Sequence, residues 1–225
     1  MNKDKFLLLG QVIIVIILIV VLNYFNTINN IKKEPIADNN QNLVFENKAL
    51  EWGAYVGYNV FDRENFEEKV GKKVNLQAVF IHWGNENNFP IDIAQGLNGR
   101  TLVIFWEAMD YNNESKEQKE FSYNAIINGD WDNYISSFAK EIKEYGDPVI
   151  LIPFEEMNGD WYPWSISENN NSPEKHIEAY KHIHDLFNDV SNVKFGWTIN
   201  ADSEFSSNYY PGDEYIDYIG LNGFN

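Results

Sequence analysis

The sequence predicts an α/β protein of the (β/α)8 TIM-barrel type, incomplete in this chain at about six βα units and preceded by a transmembrane helix. Three observations carry that prediction. From Trp52 onward, six short apolar runs alternate with helical patterns, which implies a parallel sheet covered by helices. Nearly every run ends in polar or aromatic residues: His82-Trp83, Trp106-Glu107, Glu155-Glu156, Asn200-Asp202 and Asn222-Phe224-Asn225. In a barrel those ends converge on one mouth, where catalytic groups sit. The rival, a doubly wound sheet, would place a glycine-rich turn after its first strand, yet no GxGxxG follows Gly53 and Gly57.

The first 48 residues are read apart from this fold. Lys3 and Lys5 precede a run from Phe6 to Leu22 that is apolar apart from Gly10 and Gln11. That length is near the lower limit for a spanning helix and longer than a typical signal-peptide core. No small-x-small cleavage site follows, so residues 1–25 are expected to be an uncleaved signal anchor. A cleaved export signal is the alternative, and either sends the remainder outside the cell. Lysines on both sides (Lys32 and Lys33 follow the run) weaken the orientation signal. Residues 26–48 are rich in Asn and Lys, contain Pro35 and read as a polar tether. Residues 49–225 are assigned to the folded domain.

Within that domain Gly53 to Tyr58 is the first expected strand, and Glu64 to Val70 a short helix closed by Gly71. Val74 to Ile81 is the second strand, Ile91 to Leu97 a weak helix, and Thr101 to Trp106 the third strand. The polar stretch from Asp110 to Gly129 is too long for a simple connection, a type of insertion that is often functional. Trp131, Tyr134, Ile135, Phe138, Ala139, Ile142 and Tyr145 keep helical spacing, with Asp130 as N-cap and Gly146 as stop. Val149 to Ile152 is a short apolar run suited to a strand covered on both faces. Ser172-Pro173 opens a helix that turns Ile177, Tyr180, Ile183 and Phe187 inward. Val193 to Ile199 and Tyr215 to Leu221 are the last two strands.

The formal net charge of −17 argues against a nucleic-acid partner and fits a neutral substrate better than an anionic one. The lack of a phosphate-binding glycine loop points away from phosphorylated metabolites. Without cysteine there is no disulfide framework and no zinc–thiolate site. Metal sites built from other ligands are not expected either. His182 and His184 fall on nearly opposite helix faces, and with His176 they read as surface histidines. Asp110, Asn112 and Glu114 mimic the start of a calcium loop, but Ser115 and Phe121 replace its glycine and closing glutamate. No cofactor is expected.

The chemistry concentrates in Pro148 to Trp164, PVILIPFEEMNGDWYPW. A strand that ends in Glu155 and Glu156 and then displays Trp161, Tyr162 and Trp164 has the parts of a carbohydrate site. Flat rings stack on apolar sugar faces, and a positioned carboxyl can protonate a glycosidic oxygen. FEEMNGDWYPW resembles the signature of glycoside hydrolase family 26, best known for β-mannanases. GAYVG at 53–57, FWE at 105–107, GDWDNYI at 129–135 and YYPGDEYIDYIGLNGFN at 209–225 are similar to segments of that family in the same order.

The resemblance implies a retaining enzyme on a (β/α)8 barrel, with an acid/base glutamate ending strand four and a nucleophilic glutamate ending strand seven. Glu156, directly before Met-Asn-Gly, matches the acid/base, and Trp161 matches the motif's sugar-stacking tryptophan. Ion pairing of Glu156 and core packing of Trp161 are the bland alternatives. Glu155 stands where the family usually has histidine and is a candidate for sugar selectivity. Phe224 stands where many relatives carry a tyrosine that supports the nucleophile. Trp164, Trp106, Glu107 and His82 are further substrate-binding candidates by position, with core packing the competing reading; Asn200 and Asp202 are weaker ones.

No residue matches the nucleophile, whose strand would follow Asn225, and retaining hydrolysis needs two carboxyls about 5–5.5 Å apart. Residues 49–225 are therefore expected to lack the C-terminal part of the catalytic domain, and this stretch alone to be inactive. The expected function is an extracellular, membrane-tethered endo-β-glycanase acting on β-1,4-mannan. Mixed-linkage β-glucan is the nearest rival substrate, and a non-catalytic polysaccharide-binding or wall-associated module is the rival class.

Overall fold

Apolar runs with β-branched residues favour extended chain, and here six of them pair in sequence order, all parallel, into one curled half-barrel. This is the arrangement of part of a (β/α)8 barrel. The computed structural model describes residues 51–204 and 207–223. The expected anchor at 1–25, the tether at 26–48 and the candidate Phe224 lie outside the described residues. Among the described residues, no helix is long and apolar enough to cross a membrane.

The strands are β1 Gly53–Ala54, β2 Leu76–His82, β3 Thr101–Glu107, β4 Val149–Pro153, β5 Val193–Asn200 and β6 Tyr218–Asn222. The helices are α1 Val60–Val70, α2 Ile91–Gln95, α3 Tyr123–Ile127, α4 Asp132–Tyr145 and α5 Pro173–Leu186. β1 is shorter than the six residues expected. Its run bends away at Gly57 (φ 91°), and Asn59 then caps α1 by accepting from the Asp62 amide at 2.9 Å. That cap starts α1 four residues before Glu64.

Two other expectations are corrected. Asp130 does not cap α4; Trp131 occupies the N-cap position without a side-chain capping bond. His176 is fully buried, so the surface reading fails for it, while His182 and His184 are half-buried at the margin of the helix. α5 turns His176, Ala179, Tyr180 and Ile183 inward, an i, i+3, i+4, i+7 face, and leaves Ile177 half-buried at its margin. The Ser172 cap is as expected, with its hydroxyl accepting from the Lys175 amide.

Alternation along the strands decides which side chains reach the mouth. Trp106 stacks on Phe138 of α4 with ring centroids 4.7 Å apart, and its indole donates to the Tyr134 hydroxyl at 3.2 Å. Val79, Leu102, Ile104 and Leu151 share that helix-facing layer, which forms the core with α4 and α5. The next residue, Glu107, therefore turns to the concave side. So does His82, its register partner on β2.

Candidate active site

β4 ends at Pro153, and the chain leaves it through a turn with two left-handed residues, Phe154 (φ 58°) and Glu156 (φ 53°). Non-glycine residues in that region cost about 1–3 kcal/mol each and persist only where surrounding contacts over-determine them. Those contacts are present. The Glu156 amide donates to the Thr198 carbonyl at 3.0 Å. Asn158 grips the end of β5 twice, donating to the Asn200 carbonyl at 2.9 Å and accepting from the Asn200 amide at 2.8 Å. The indole of Trp164 donates to the Glu155 carbonyl at 2.8 Å.

The turn presents Glu156 at the C-terminal ends of the strands. One carboxylate oxygen accepts from Nε1 of Trp161 at 3.0 Å, the other from Nδ2 of Asn200 at 3.3 Å. Two uncharged donors thus hold the acid in a fixed direction, and the ion pair that the bland alternative required is replaced by these neutral partners. Trp161 is 39% exposed, leaving ring surface open beside the carboxyl. Gly159 makes this possible: a Cβ there would lie 2.4 Å from the Trp161 ring. A cleft of about 530 Å³ runs along this ring, lined by Asn158, Gly159, Trp161, Ser203, Glu204 and Tyr209.

Glu107 and Glu155 lie beside Glu156, almost completely buried. The Tyr111 hydroxyl donates to Glu107, and the ring of Tyr111 rests 4.7 Å from that of His82. Burial pushes the Glu107 carboxyl up. Burial, then repulsion from Glu107, pushes that of Glu155 well above the carboxylate range. The same desolvation raises Tyr58 to about 12 and pushes Tyr162 up further, with Glu155 and Glu107 adding to the Tyr162 shift. His82 lines a second cleft of about 390 Å³ with Tyr58, Asn87, Asn88 and Tyr111.

The structure thus gathers Glu156, Glu155, Glu107, Trp161 and His82 at one mouth. It does not bring Trp106 and Trp164 there with an open face. Both are fully buried, Trp106 against α4 and Trp164 stacked on Tyr162 at 4.2 Å. Crowding after β4 is thus relieved by burying Pro163 and Trp164 and leaving Tyr162 half-exposed. Tyr111, whose hydroxyl donates to Glu107, was not singled out from sequence, whereas Tyr162 was named with the aromatic cluster and feels the charges of Glu155 and Glu107. The long insertion after β3 was the only signal for Tyr111. It is tied to the β4 loop by Lys116, which donates to the Asp160 carbonyl, and by Asn169, which donates to the Lys116 carbonyl at 3.1 Å. Asp202 bonds through its amide to Asn200 and is exposed.

The profile of glycosyl hydrolase family 26 matches residues 73–225. The chain belongs to that family. Endoglucanase H of Acetivibrio thermocellus is 35% identical over 197 residues, covering 82% of this chain and 21% of the relative. A mannan endo-1,4-beta-mannosidase of Bacillus subtilis is 26% identical over 97 residues, covering 40% of this chain and 27% of the relative. The family 26 chain therefore spans about a fifth to a quarter of these curated relatives. Among solved structures, the Bacillus subtilis mannanase man26 superposes with a TM-score of 0.62 at 20% identity, over 76% of this chain and 63% of that one. At that identity the likeness speaks for the fold.

Proposed function

We propose that this family 26 chain is the catalytic-domain portion of a retaining endo-β-glycanase that hydrolyses β-1,4-mannan-type polysaccharide. Glu156 is its general acid/base. One observation carries the reading: a carboxyl at the end of β4, aimed by Trp161 and Asn200, beside an exposed indole face. The ring offers stacking to the apolar face of a pyranose, and the carboxyl offers its proton to the leaving oxygen. In the second step Glu156 would take a proton from the attacking water. The nucleophile belongs to a strand beyond Asn225. The expected anchor at residues 1–25 would hold the enzyme at the cell membrane with its catalytic domain outside. His82, Glu107, Glu155, Trp161 and Phe224 are proposed to line the sugar path.

Mixed-linkage β-glucan is a second reading, because the relative that is 35% identical is named an endoglucanase and the mannosidase matches less of the chain. The experiment is hydrolysis of mannan and of β-glucan by the full-length protein, with the anomer of the first product read by NMR. Faster release from mannan with retained configuration supports the proposal. Faster release from glucan selects the second reading, inversion removes the mechanism, and hydrolysis of neither removes both.

A further inference from the structure

The acid/base reading gives Glu156 its proton transfer but assigns no proton to Glu107 or Glu155. Both are about 1% exposed. β3 ends at Glu107, and the pairing of Trp106 with Pro153 brings the turn carrying Glu155 alongside it, in strands that lie about 4.8 Å apart. That register sets the two buried carboxyl groups close together, near enough for each to act on the other's charge. A carboxylate only accepts, so a hydrogen bond between the two acids requires a proton on one of them. With both acids ionised, neither buried oxygen of Glu155 would have a donor. Glu107 has one other donor, the Tyr111 hydroxyl. The remaining titratable groups around the pair are Glu156, Tyr162 and, near Glu107, Tyr58; His82 packs on Tyr111. Among the described residues, no lysine or arginine is one of them.

We propose that Glu107 and Glu155 hold a single proton between them at neutral pH, and that this proton pins the strained turn from which Glu156 projects. The proposal rests on the acid/base reading of Glu156. Glu155 lies between the left-handed residues Phe154 and Glu156, so its side chain anchors the middle of the turn. Two adjacent buried carboxylates would repel, and one shared proton removes that repulsion while supplying the missing donor. In alkali the O–H bond breaks, the proton passes to hydroxide to form water, and two carboxylates remain. The anchor is then lost and the Glu156 carboxyl loses its aim. Glu107 and Glu155 act through Glu156; they are positioning residues.

The test uses full-length protein labelled with ¹³C at the glutamate δ-carbons. A glutamate that stays protonated at neutral pH and titrates far above the others is expected, and it should vanish in Glu155→Gln. The amide of that variant donates to Glu107 without titrating. The alkaline limb of kcat/KM should therefore move to higher pH while the acid limb stays in place. Glu155→Ala, which supplies no donor, should lose activity many-fold already at neutral pH. Finding every glutamate ionised at neutral pH, or an unmoved alkaline limb in Glu155→Gln, would overturn the proposal. The NMR signal does not depend on turnover, so failure of the Glu156 assignment would be seen separately.

Discussion

The indole Nε1 of Trp161 donates to the Glu156 carboxylate across 3.0 Å, only five residues away in the chain. One side chain thus aims the carboxylate and keeps an exposed ring face beside it, which on the proposed reading stacks on the sugar. Replacing Trp161 with phenylalanine separates these roles, because the apolar face remains and the donor goes. A hydrogen bond to a charged group contributes about 1.5–3 kcal/mol, so kcat/KM should fall on the order of 10- to 100-fold with KM changing little. Steady-state kinetics on the polysaccharide checks this. A loss confined to KM would mean that Trp161 only binds.

Gly159 is predicted to tolerate no side chain. Its missing Cβ is the space the Trp161 ring occupies, and alanine would meet that ring at 2.4 Å. Gly159→Ala should destabilise by about 1–3 kcal/mol, as overpacking does, or rotate the ring away. In either case the bond to Glu156 is broken. Urea unfolding and the tryptophan fluorescence of the native state distinguish the two outcomes, and activity should fall in both.

His176 predicts an acid-sensitive core. The Trp197 indole donates to its Nε2 at 3.3 Å, so Nδ1 carries the proton toward the Tyr123 oxygen at 2.8 Å, and the Tyr123 hydroxyl donates to the Trp164 carbonyl at 2.7 Å. Burial lowers His176 from 6.5 to about 3. Below pH 6.5 the unfolded chain takes up a proton that the folded chain refuses. Stability from this residue is therefore complete above pH 6.5 and is lost as pH falls toward 3, by about 5 kcal/mol in all. Urea unfolding across that range should show a one-proton slope that His176→Gln abolishes. A slope shared by both proteins would refute the assignment.

The sheet order was legible because each strand is an apolar run between turn residues, and the motif exposed Glu156 and Trp161. What stayed hidden depends on parity and on distance along the chain. Trp106 and Glu107 are adjacent, and only the packing of Trp106 on Phe138 reveals that Glu107 is the one facing the mouth. The clamp between Asn158 and Asn200 joins residues 42 apart, which no local pattern signals. His176 was legible in principle, since it shares helical spacing with Ala179, Tyr180 and Ile183. Choosing Ile177 for that face rotated the helix by one residue.

The central claim is that Glu156 protonates the leaving oxygen. It is tested most directly by comparing Glu156→Ala with wild-type full-length enzyme on polysaccharide and on aryl glycosides with activated leaving groups. The acid is needed only when the leaving group is a poor one, so removing it should cost about 10²–10⁴-fold on polysaccharide. The loss in the bond-breaking step should be far smaller on the activated substrate. An equal loss on both would contradict the assignment.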